Sequence, residues 1–231
     1  MATILITGAN RGLGLEFCKQ YAADGWQVLA CCREPGSATA LTHLANEFSN
    51  ISVLPLDMAN LAQIDALAQQ LDGTAIDVLL NNAGVYGDTA GRGFGNLDVA
   101  EWQKTMTINV FAPVKMTEAF LPNLKLGSQK KVLAISSLMG SLADNCSGGS
   151  ILYRSSKAAL NAAMKSVAID NRANELAILI LHPGWVKTDM GGSNAPLEIL
   201  ESVQKMRETI ANFTLAQSGE FLRYDGTPLP W

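Results

Sequence analysis

The 231-residue sequence has few of the residues that build metal sites and nucleic-acid surfaces. It contains two histidines, and its four cysteines include no C-x-x-C pair, so it does not predict a metal site. Charged residues make up only 16% of the chain and the formal net charge is −4. With no run of lysine or arginine, nucleic-acid binding has no electrostatic support.

Long apolar stretches are also missing. No segment approaches the ~18 continuous apolar residues of a membrane span. The opening MATILITGAN lacks the basic and apolar regions of a signal peptide. Cys31 and Cys32 are adjacent on a predicted strand, so they point to opposite faces and bridge poorly. We expect a reduced, cytoplasmic, metal-free protein that binds neither nucleic acid nor membranes.

Apolar runs typical of buried strands alternate along the chain with longer stretches of helical period. The runs are TILIT, WQVLAC, ISVLPL, IDVLLN, KVLAIS and AILILH, and the helical stretches fall at about 13–24, 41–48, 61–71, 99–124 and 153–174. Continuously apolar strands are typical of a parallel sheet covered on both faces. The pattern predicts one α/β domain over 1–231, a Rossmann-type doubly wound parallel sheet with helices on both faces. Residues 191–213 are predicted as a substrate loop with a short helix.

A glycine-rich loop, TGANRGLG, lies between the first strand and the first helix. Glycines there let a pyrophosphate approach main-chain N–H groups at the positive end of the helix. The spacing G-x-x-x-G-x-G differs from the usual G-x-G-x-x-G, and a turn that needs positive φ is the alternative. The predicted cofactor-binding residues of this loop are Gly8, Asn10, Arg11, Gly12, Leu13 and Gly14.

The end of the second strand, ACCREP, indicates which nicotinamide cofactor would bind. An NAD site usually has an acid there, whereas this chain has Cys32 followed by Arg33. Two guanidiniums, from Arg33 and Arg11, suit a 2′-phosphate. We therefore predict NADP(H), although Glu34 beside Arg33 complicates the pattern and both arginines fit an ordinary surface role as well.

Two further strand ends carry candidate cofactor contacts. Asp57 is predicted to accept a hydrogen bond from the adenine amino group, with Met58 supplying its N–H; a turn or helix cap is an equal alternative for Asp57. The NNAG turn, with Asn82, Ala83 and Gly84, would let the chain close against a cofactor ribose. A simple strand-ending turn is its alternative.

Six motifs in this order resemble those of classical short-chain dehydrogenases/reductases. They are TGANRGLG, NNAG, INVFAP, ISSLMGS, YRSSK and HPGWVKTDM, and they run from residue 7 to residue 190. The CREP turn and the closing YDGTPLPW further resemble a subgroup of small NADPH-dependent carbonyl reductases, which includes sniffer-type enzymes and bacterial proteins called C-factor. The resemblance implies hydride transfer between a nicotinamide cofactor and a carbonyl or alcohol.

The chemistry centres on Tyr153 and Lys157, which lie one helical turn apart. Alone, this spacing also fits a core helix with a solvated lysine. A tyrosine pKa of about 10 is too high for ready proton exchange, and a neighbouring ammonium is expected to lower it. Tyr153 is therefore predicted as the general acid in reduction. By resemblance, Lys157 also bonds the nicotinamide ribose.

Ser137 and Asn109 complete the predicted catalytic set. Ser137 would stabilise charge on the substrate oxygen; Ser136 competes with it, and the S-x-x-G pattern selects Ser137. By resemblance, Asn109 holds a water that relays protons to Lys157, while a cap or kink residue is its alternative. The loop LADNCSGGSI before Tyr153 is expected to face substrate or to be a longer surface turn, and Cys146 within it has no predicted catalytic role.

The motif HPGWVKTDM contributes the last predicted cofactor contacts. By resemblance, the Pro183–Gly184 turn lets the main chain run close to the nicotinamide. Val186 would contribute its N–H, and Thr188 would bond the carboxamide or a phosphate. His182 is predicted as a packed structural residue. Apolar residues that could line the pocket favour an apolar aldehyde or ketone; they are Tyr86, Phe94, Trp185, Met190 and Phe213.

The sequence thus predicts an NADPH-dependent oxidoreductase that reduces an aldehyde, ketone or quinone. The alternative is a dinucleotide-binding signalling or redox-sensing protein with little turnover, because a fold does not determine function. A methyltransferase-like protein would share the glycine loop but not the tyrosine–lysine pair. The resemblance also implies a homodimer or homotetramer formed through the helices 99–124 and 153–174.

Overall fold

The computed structural model describes residues 1–91 and 93–231, and in this part of the chain seven strands form one sheet. The strands are β1 (Thr3–Thr7), β2 (Gln27–Cys32), β3 (Ile51–Pro55), β4 (Val78–Asn81), β5 (Lys131–Ile135), β6 (Ala177–His182) and β7 (Glu220–Arg223). Their order is β3-β2-β1-β4-β5-β6-β7, and every neighbouring pair is parallel. The predicted Rossmann-type sheet is confirmed.

Helices cover both faces of this sheet, as predicted. They are α1 (Gly12–Ala23), α2 (Thr39–Glu47), α3 (Leu61–Gln70), α4 (Val99–Met106), α5 (Ala112–Ala119), α6 (Leu121–Leu126), α7 (Ile151–Asp170) and α8 (Ile199–Asn212). Phe17 of α1 and Met206 of α8 are buried on one face. Met116 of α5 and Met164 of α7 are buried on the other. Across the described residues, no helix is both long and apolar enough to span a bilayer.

The strands are apolar at successive positions because both faces of the sheet are covered. Ile4 and Ile6 pack on the face of α1 and α8, and Leu5 between them packs on the opposite face. Cys32 and Cys31 divide between the faces in the same way, and both are buried. The period of two thus places a buried side chain on each side, which is why no polar alternation is visible in the sequence.

The predicted helix over 99–124 is not one continuous α-helix. It divides into α4, α5 and α6, and Thr107–Phe111 between α4 and α5 is a π-helical turn. Pro113 lies in the first turn of α5 and has no N–H to donate to the carbonyl of Asn109 four residues earlier. The wider turn around Asn109 is therefore built into the sequence INVFAP, and such turns are common at functional sites.

The C-terminal region is more regular than predicted. The helix α8 is 14 residues long, whereas the sequence predicts only a short helix in 191–213. The strand β7 is not predicted at all. It is a four-residue strand at the edge of the sheet in which only Phe221 and Leu222 are buried, so its apolar run is too short to recognise.

Candidate active site

The order of the strands opens a crevice between the carboxyl ends of β1 and β4, where the chain direction across the sheet reverses. Thr7 Oγ1 accepts hydrogen bonds from the N–H groups of Asn82 and Ala83, both at 3.0 Å. The Asn82 Nδ2 group donates to the carbonyls of Thr7 at 2.8 Å and Gly8 at 3.1 Å. Asn82 therefore joins the NNAG turn to the glycine loop.

The glycine loop passes close enough to its neighbours that side chains are excluded. A Cβ on Gly14 would lie 2.2 Å from the carbonyl oxygen of Gly8, and Gly8 itself has φ +65°. The N-cap residue of α1, Arg11, makes no side-chain cap bond, and the first turn contains no acid. The positive end of α1 is thus available to an anion, with Asn10 and Arg11 exposed beside it and Leu13 half-buried.

The two arginines predicted to bind a 2′-phosphate have acidic partners. Arg11 Nη1 lies 2.6 Å from Asp189 Oδ2, and Arg33 Nε lies 3.8 Å from Glu34 Oε1. All four side chains are about 70% or more exposed, and exposed ion pairs contribute little to stability. Both guanidiniums can therefore change partner at small cost.

The position that carries an acid in NAD sites holds a neutral thiol. Cys32 is buried, and burial raises the pKa of its thiol. Asp57, after β3, uses Oδ1 to accept the N–H of Ala59 at 2.9 Å, while its own N–H donates to Gln63 at 2.8 Å. Asp57 therefore has the turn role that the sequence offered as an alternative. The adenine contacts of Asp57 and of the buried Met58 stay predictions.

Helix α7 brings Tyr153 and Lys157 to the carboxyl end of β5. Lys157 is buried, its Nζ donates to the carbonyl of Ile135 at 2.8 Å, and it lies 5.6 Å from the centroid of the Tyr153 ring. Because the ammonium is removed from water, the pKa of Lys157 is lowered to about 8.

The expected lowering of the Tyr153 pKa by Lys157 is not found. Burial raises the pKa of the phenol to about 12, opposed by a hydrogen bond with Ser137 and reinforced by the neighbouring Tyr86. The lysine is bonded to Ile135 and approaches the ring, so desolvation of the phenol dominates. Tyr153 is therefore a protonated phenol at neutral pH.

The two serines of ISSLMGS have different surroundings. Ser136 Oγ donates to Asn161 Oδ1 at 2.5 Å in the core, so it is committed to holding α7. Ser137 Oγ accepts the N–H of Met139 at 3.1 Å, and Ser137 acts to lower the pKa of the Tyr153 phenol. Gly140 explains the S-x-x-G spacing, because a Cβ there would lie 2.8 Å from the main-chain carbon of Lys157. The structure brings Ser137, not Ser136, to the tyrosine.

Asn109 lies in the π-helical turn and is almost fully buried. Its Oδ1 accepts the N–H of Val85 at 2.9 Å, and its Nδ2 donates to the Val85 carbonyl at 2.8 Å and to Ser156 Oγ at 2.9 Å. The amide thus joins the residue after NNAG to helix α7. The water relay through Asn109 stays a prediction.

The loop after β6 closes the crevice from the other side. Thr188 is next to the glycine loop, because a Cβ on Gly12 would lie 3.6 Å from its Cγ2. Pro183 is fixed by a hydrogen bond of 2.7 Å from Ser202 to its carbonyl, and Val186 is buried. Gly184 has φ +84° and packs against Leu197 and Tyr224.

His182 does not resemble a catalytic base. Burial, together with the charge of Arg223, lowers its pKa to about 4, so the ring is neutral at neutral pH. This agrees with the packed structural role predicted for it. The prediction that Phe213 lines the substrate pocket is wrong. Its side chain is only 4% exposed and belongs to the core between α8 and the sheet. Trp185 and Met190 are 57% and 49% exposed and Phe94 is 97% exposed.

Two residues close to Tyr153 were not recognised from the sequence. Asp88 accepts the N–H groups of Leu152 at 3.2 Å and Tyr153 at 2.8 Å. Ser150 shares a hydrogen bond of 2.6 Å with Tyr86, whose ring centroid is 4.8 Å from that of Tyr153. Asp88 is 64 residues from the helix it caps, so no local pattern could reveal the contact.

A family model described as short chain dehydrogenase matches residues 2–198, and the chain belongs to this family. The match confirms the predicted family and the oxidoreductase class. The chain is similar to C-signal of Myxococcus xanthus, with 45% identity over 156 residues that cover 68% of this chain and 93% of that protein.

Two solved structures are similar over the whole chain. The carbonyl reductase Sniffer of D. melanogaster has a TM-score of 0.92 and 37% sequence identity, covering 100% of both chains. The NADPH-bound carbonyl reductase from chicken fatty liver has a TM-score of 0.92 and 34% identity, covering 100% of this chain and 99% of that one. Both carry the name of the activity that the sequence motifs predict.

Proposed function

We propose that the protein is an NADPH-dependent carbonyl reductase that converts an aldehyde, ketone or quinone to the alcohol. The observation that carries this proposal is the placement of Ser137, Tyr153 and Lys157. Ser137 lowers the pKa of the Tyr153 phenol against the effect of burial, and the buried ammonium of Lys157 lies 5.6 Å from the centroid of the tyrosine ring. These groups lie at the carboxyl edge of the sheet, beside the crevice that the glycine loop borders.

The residues of the crevice fit NADP(H). The first turn of α1 contains no acid, and its N–H groups would take the pyrophosphate. Gly84 and Lys157 would contact the nicotinamide ribose together, since a Cβ on Gly84 would lie 3.5 Å from Lys157 Nζ. The neutral Cys32 and the two exposed arginines favour a 2′-phosphate. The similarity to an NADPH-bound carbonyl reductase supports the same choice. When bound, NADPH supplies the hydride for the carbonyl carbon.

The chain's own residues would supply the proton and stabilise the oxygen. Ser137 donates a hydrogen bond to the substrate oxygen as negative charge develops there. Tyr153, a protonated phenol at neutral pH with its pKa raised to about 12, gives its proton to that oxygen as the oxygen becomes an alkoxide. The ammonium of Lys157 then stabilises the phenolate left behind. Carbon gains a hydride and oxygen gains a proton, so the product is the neutral alcohol.

Several finer points belong to this proposal. Asn109 is proposed to hold the water that returns a proton towards Lys157, and Pro183, Gly184, Val186 and Thr188 to border the nicotinamide. The exposed Trp185 and Met190 support an apolar carbonyl compound as substrate.

The proposal also covers the organisation of the protein. It includes a single catalytic domain over 1–231, a cytoplasmic location, and a homodimer or homotetramer formed through the helices 99–124 and 153–174.

A signalling or redox-sensing role is the second candidate, and the similarity to C-signal favours it. NADPH consumption with aldehydes, quinones and diketones distinguishes the two. We expect turnover that is lost in Tyr153→Phe, with NADPH binding retained in a fluorescence titration. Tyr86→Phe is the matched control, because it removes the hydroxyl from the ring adjacent to Tyr153. We expect it to keep activity within about tenfold of the unmodified chain. Binding without turnover on any carbonyl would favour the second candidate.

A further inference from the structure

The N-terminus of α7 lacks a cap from its own sequence. The preceding residue, Ser150, is in the left-handed region with φ +44° and makes no side-chain cap bond. The first turn of α7 contains no acid. Instead, both carboxylate oxygens of Asp88 are used: Oδ1 accepts from Leu152 and Oδ2 accepts from Tyr153. The main chain of the tyrosine is therefore held by a residue outside its helix.

The segment that carries Asp88 is itself fixed to the site. The side-chain amide of Asn109 bonds both the N–H and the carbonyl of Val85. The next residue, Tyr86, packs its ring against Tyr153. Gly87, with φ +78°, passes so close to Thr105 that a Cβ would lie 2.2 Å from its hydroxyl oxygen. Asp88 follows directly, so its carboxylate is presented from a constrained backbone.

We propose that Asp88 is a positioning residue for Tyr153, an inference that rests on the proposed reductase function. A carboxylate at the positive end of a helix forms charge-assisted hydrogen bonds with the first N–H groups. Here one of those N–H groups belongs to the proton donor. Asp88 thereby sets where the phenol stands relative to Ser137 and the substrate oxygen, and a small displacement of a reacting group lowers the rate strongly.

We expect the chain to fold without this carboxylate. Asp88 lines a cavity of about 420 Å³ together with Leu97, Glu101 and Leu152. Water can enter there and satisfy the two N–H groups in Asp88→Ala, as it does at other helix ends. The neighbouring Asp98, which lines the same cavity, offers a control, because its Oδ1 caps a different helix, α4, through the N–H of Glu101 at 3.1 Å.

The test compares Asp88→Ala, Asp88→Asn and Asp98→Asn in steady-state reduction. We expect Asp88→Ala to lower kcat by about 10- to 100-fold while KM for NADPH changes less than about threefold. Asp88→Asn keeps one acceptor oxygen and should recover part of kcat. Asp98→Asn should stay within about twofold of the unmodified chain. Equal kcat values for Asp88→Ala and Asp98→Asn would overturn the proposal.

A second measurement does not depend on turnover. Hydrogen exchange of the amides of Leu152 and Tyr153 should accelerate at least about tenfold in Asp88→Ala, with the middle of α7 unchanged. Unchanged exchange at these two amides would overturn the positioning role even in a protein with no measurable activity. If exchange accelerates but Tyr153→Phe retains full turnover, the proposed reductase mechanism fails and the contact of Asp88 with α7 stands.

Discussion

Lys157 donates a hydrogen bond from Nζ to the main-chain carbonyl of Ile135 at 2.8 Å, so the last residue of β5 fixes the ammonium beneath the ring of Tyr153. The sheet, and not the helix alone, therefore sets the geometry of this pair. The same contact places a cation in the core, where burial lowers its pKa to about 8. Activity and pH-dependent stability are linked through this one side chain.

Lys157→Met should lower kcat at least about 100-fold, because the phenolate left after proton transfer loses its neighbouring positive charge. Steady-state NADPH oxidation measures the effect. Lys165→Met is the matched control on the same helix: its Nζ donates to the carbonyl of Gly219 at 3.1 Å, away from Tyr153. A similar loss of kcat in both variants would show that the lysines act only through helix stability.

The free energy of unfolding should rise with pH between about 8 and 10.5 on account of Lys157. In this window the unfolded chain holds the lysine proton, while the folded chain, with the pKa lowered to about 8, has released it. Summed over the whole window, this rise in the free energy of unfolding is about 3 kcal/mol. Urea unfolding at pH 8 and pH 10 should show this rise in the unmodified chain and not in Lys157→Met. Parallel pH profiles for the two proteins would contradict it.

Ser137→Ala should lower kcat by about 100-fold or more with NADPH affinity unchanged, since the donor to the substrate oxygen is removed. Ser136→Ala is the control, because it removes a hydroxyl from the adjacent residue and breaks only the bond to Asn161. We expect Ser136→Ala to lose about 1–2 kcal/mol of stability and to keep activity within a few-fold. Kinetics and thermal unfolding of both variants check this, and the reverse ranking would assign the role to Ser136.

Arg33→Ala and Arg11→Ala should each weaken NADPH binding by about tenfold or more and leave NADH binding unchanged, because only NADPH carries the 2′-phosphate. Fluorescence titration with both cofactors measures this. Arg172→Ala is the control, since Arg172 lies between α7 and β6, at the amino ends of the strands and away from the cofactor crevice. Equal losses for NADPH and NADH would mean that the arginines do not read the 2′-phosphate.

Much of this architecture follows from local sequence. Residues 78–80 of β4 form a continuous apolar run, and the spacing of Tyr153 and Lys157 gives one helix face. The pKa of Tyr153 could not be read in the same way, because it depends on how deeply the ring is buried. The contact of Asp88 with α7 could not be predicted for a related reason. Its partners are 64 and 65 residues away, and only the folded chain brings them together.

The most direct test of the reductase is to follow the hydride itself. NADPH deuterated at its transferable hydrogen would be incubated with an aldehyde or ketone that the protein consumes, and the alcohol analysed by mass spectrometry. We predict one deuterium on the carbinol carbon with the unmodified chain and no alcohol above background with Tyr153→Phe, although that variant binds NADPH. Unlabelled alcohol, or equal label transfer by Tyr153→Phe, would contradict the account.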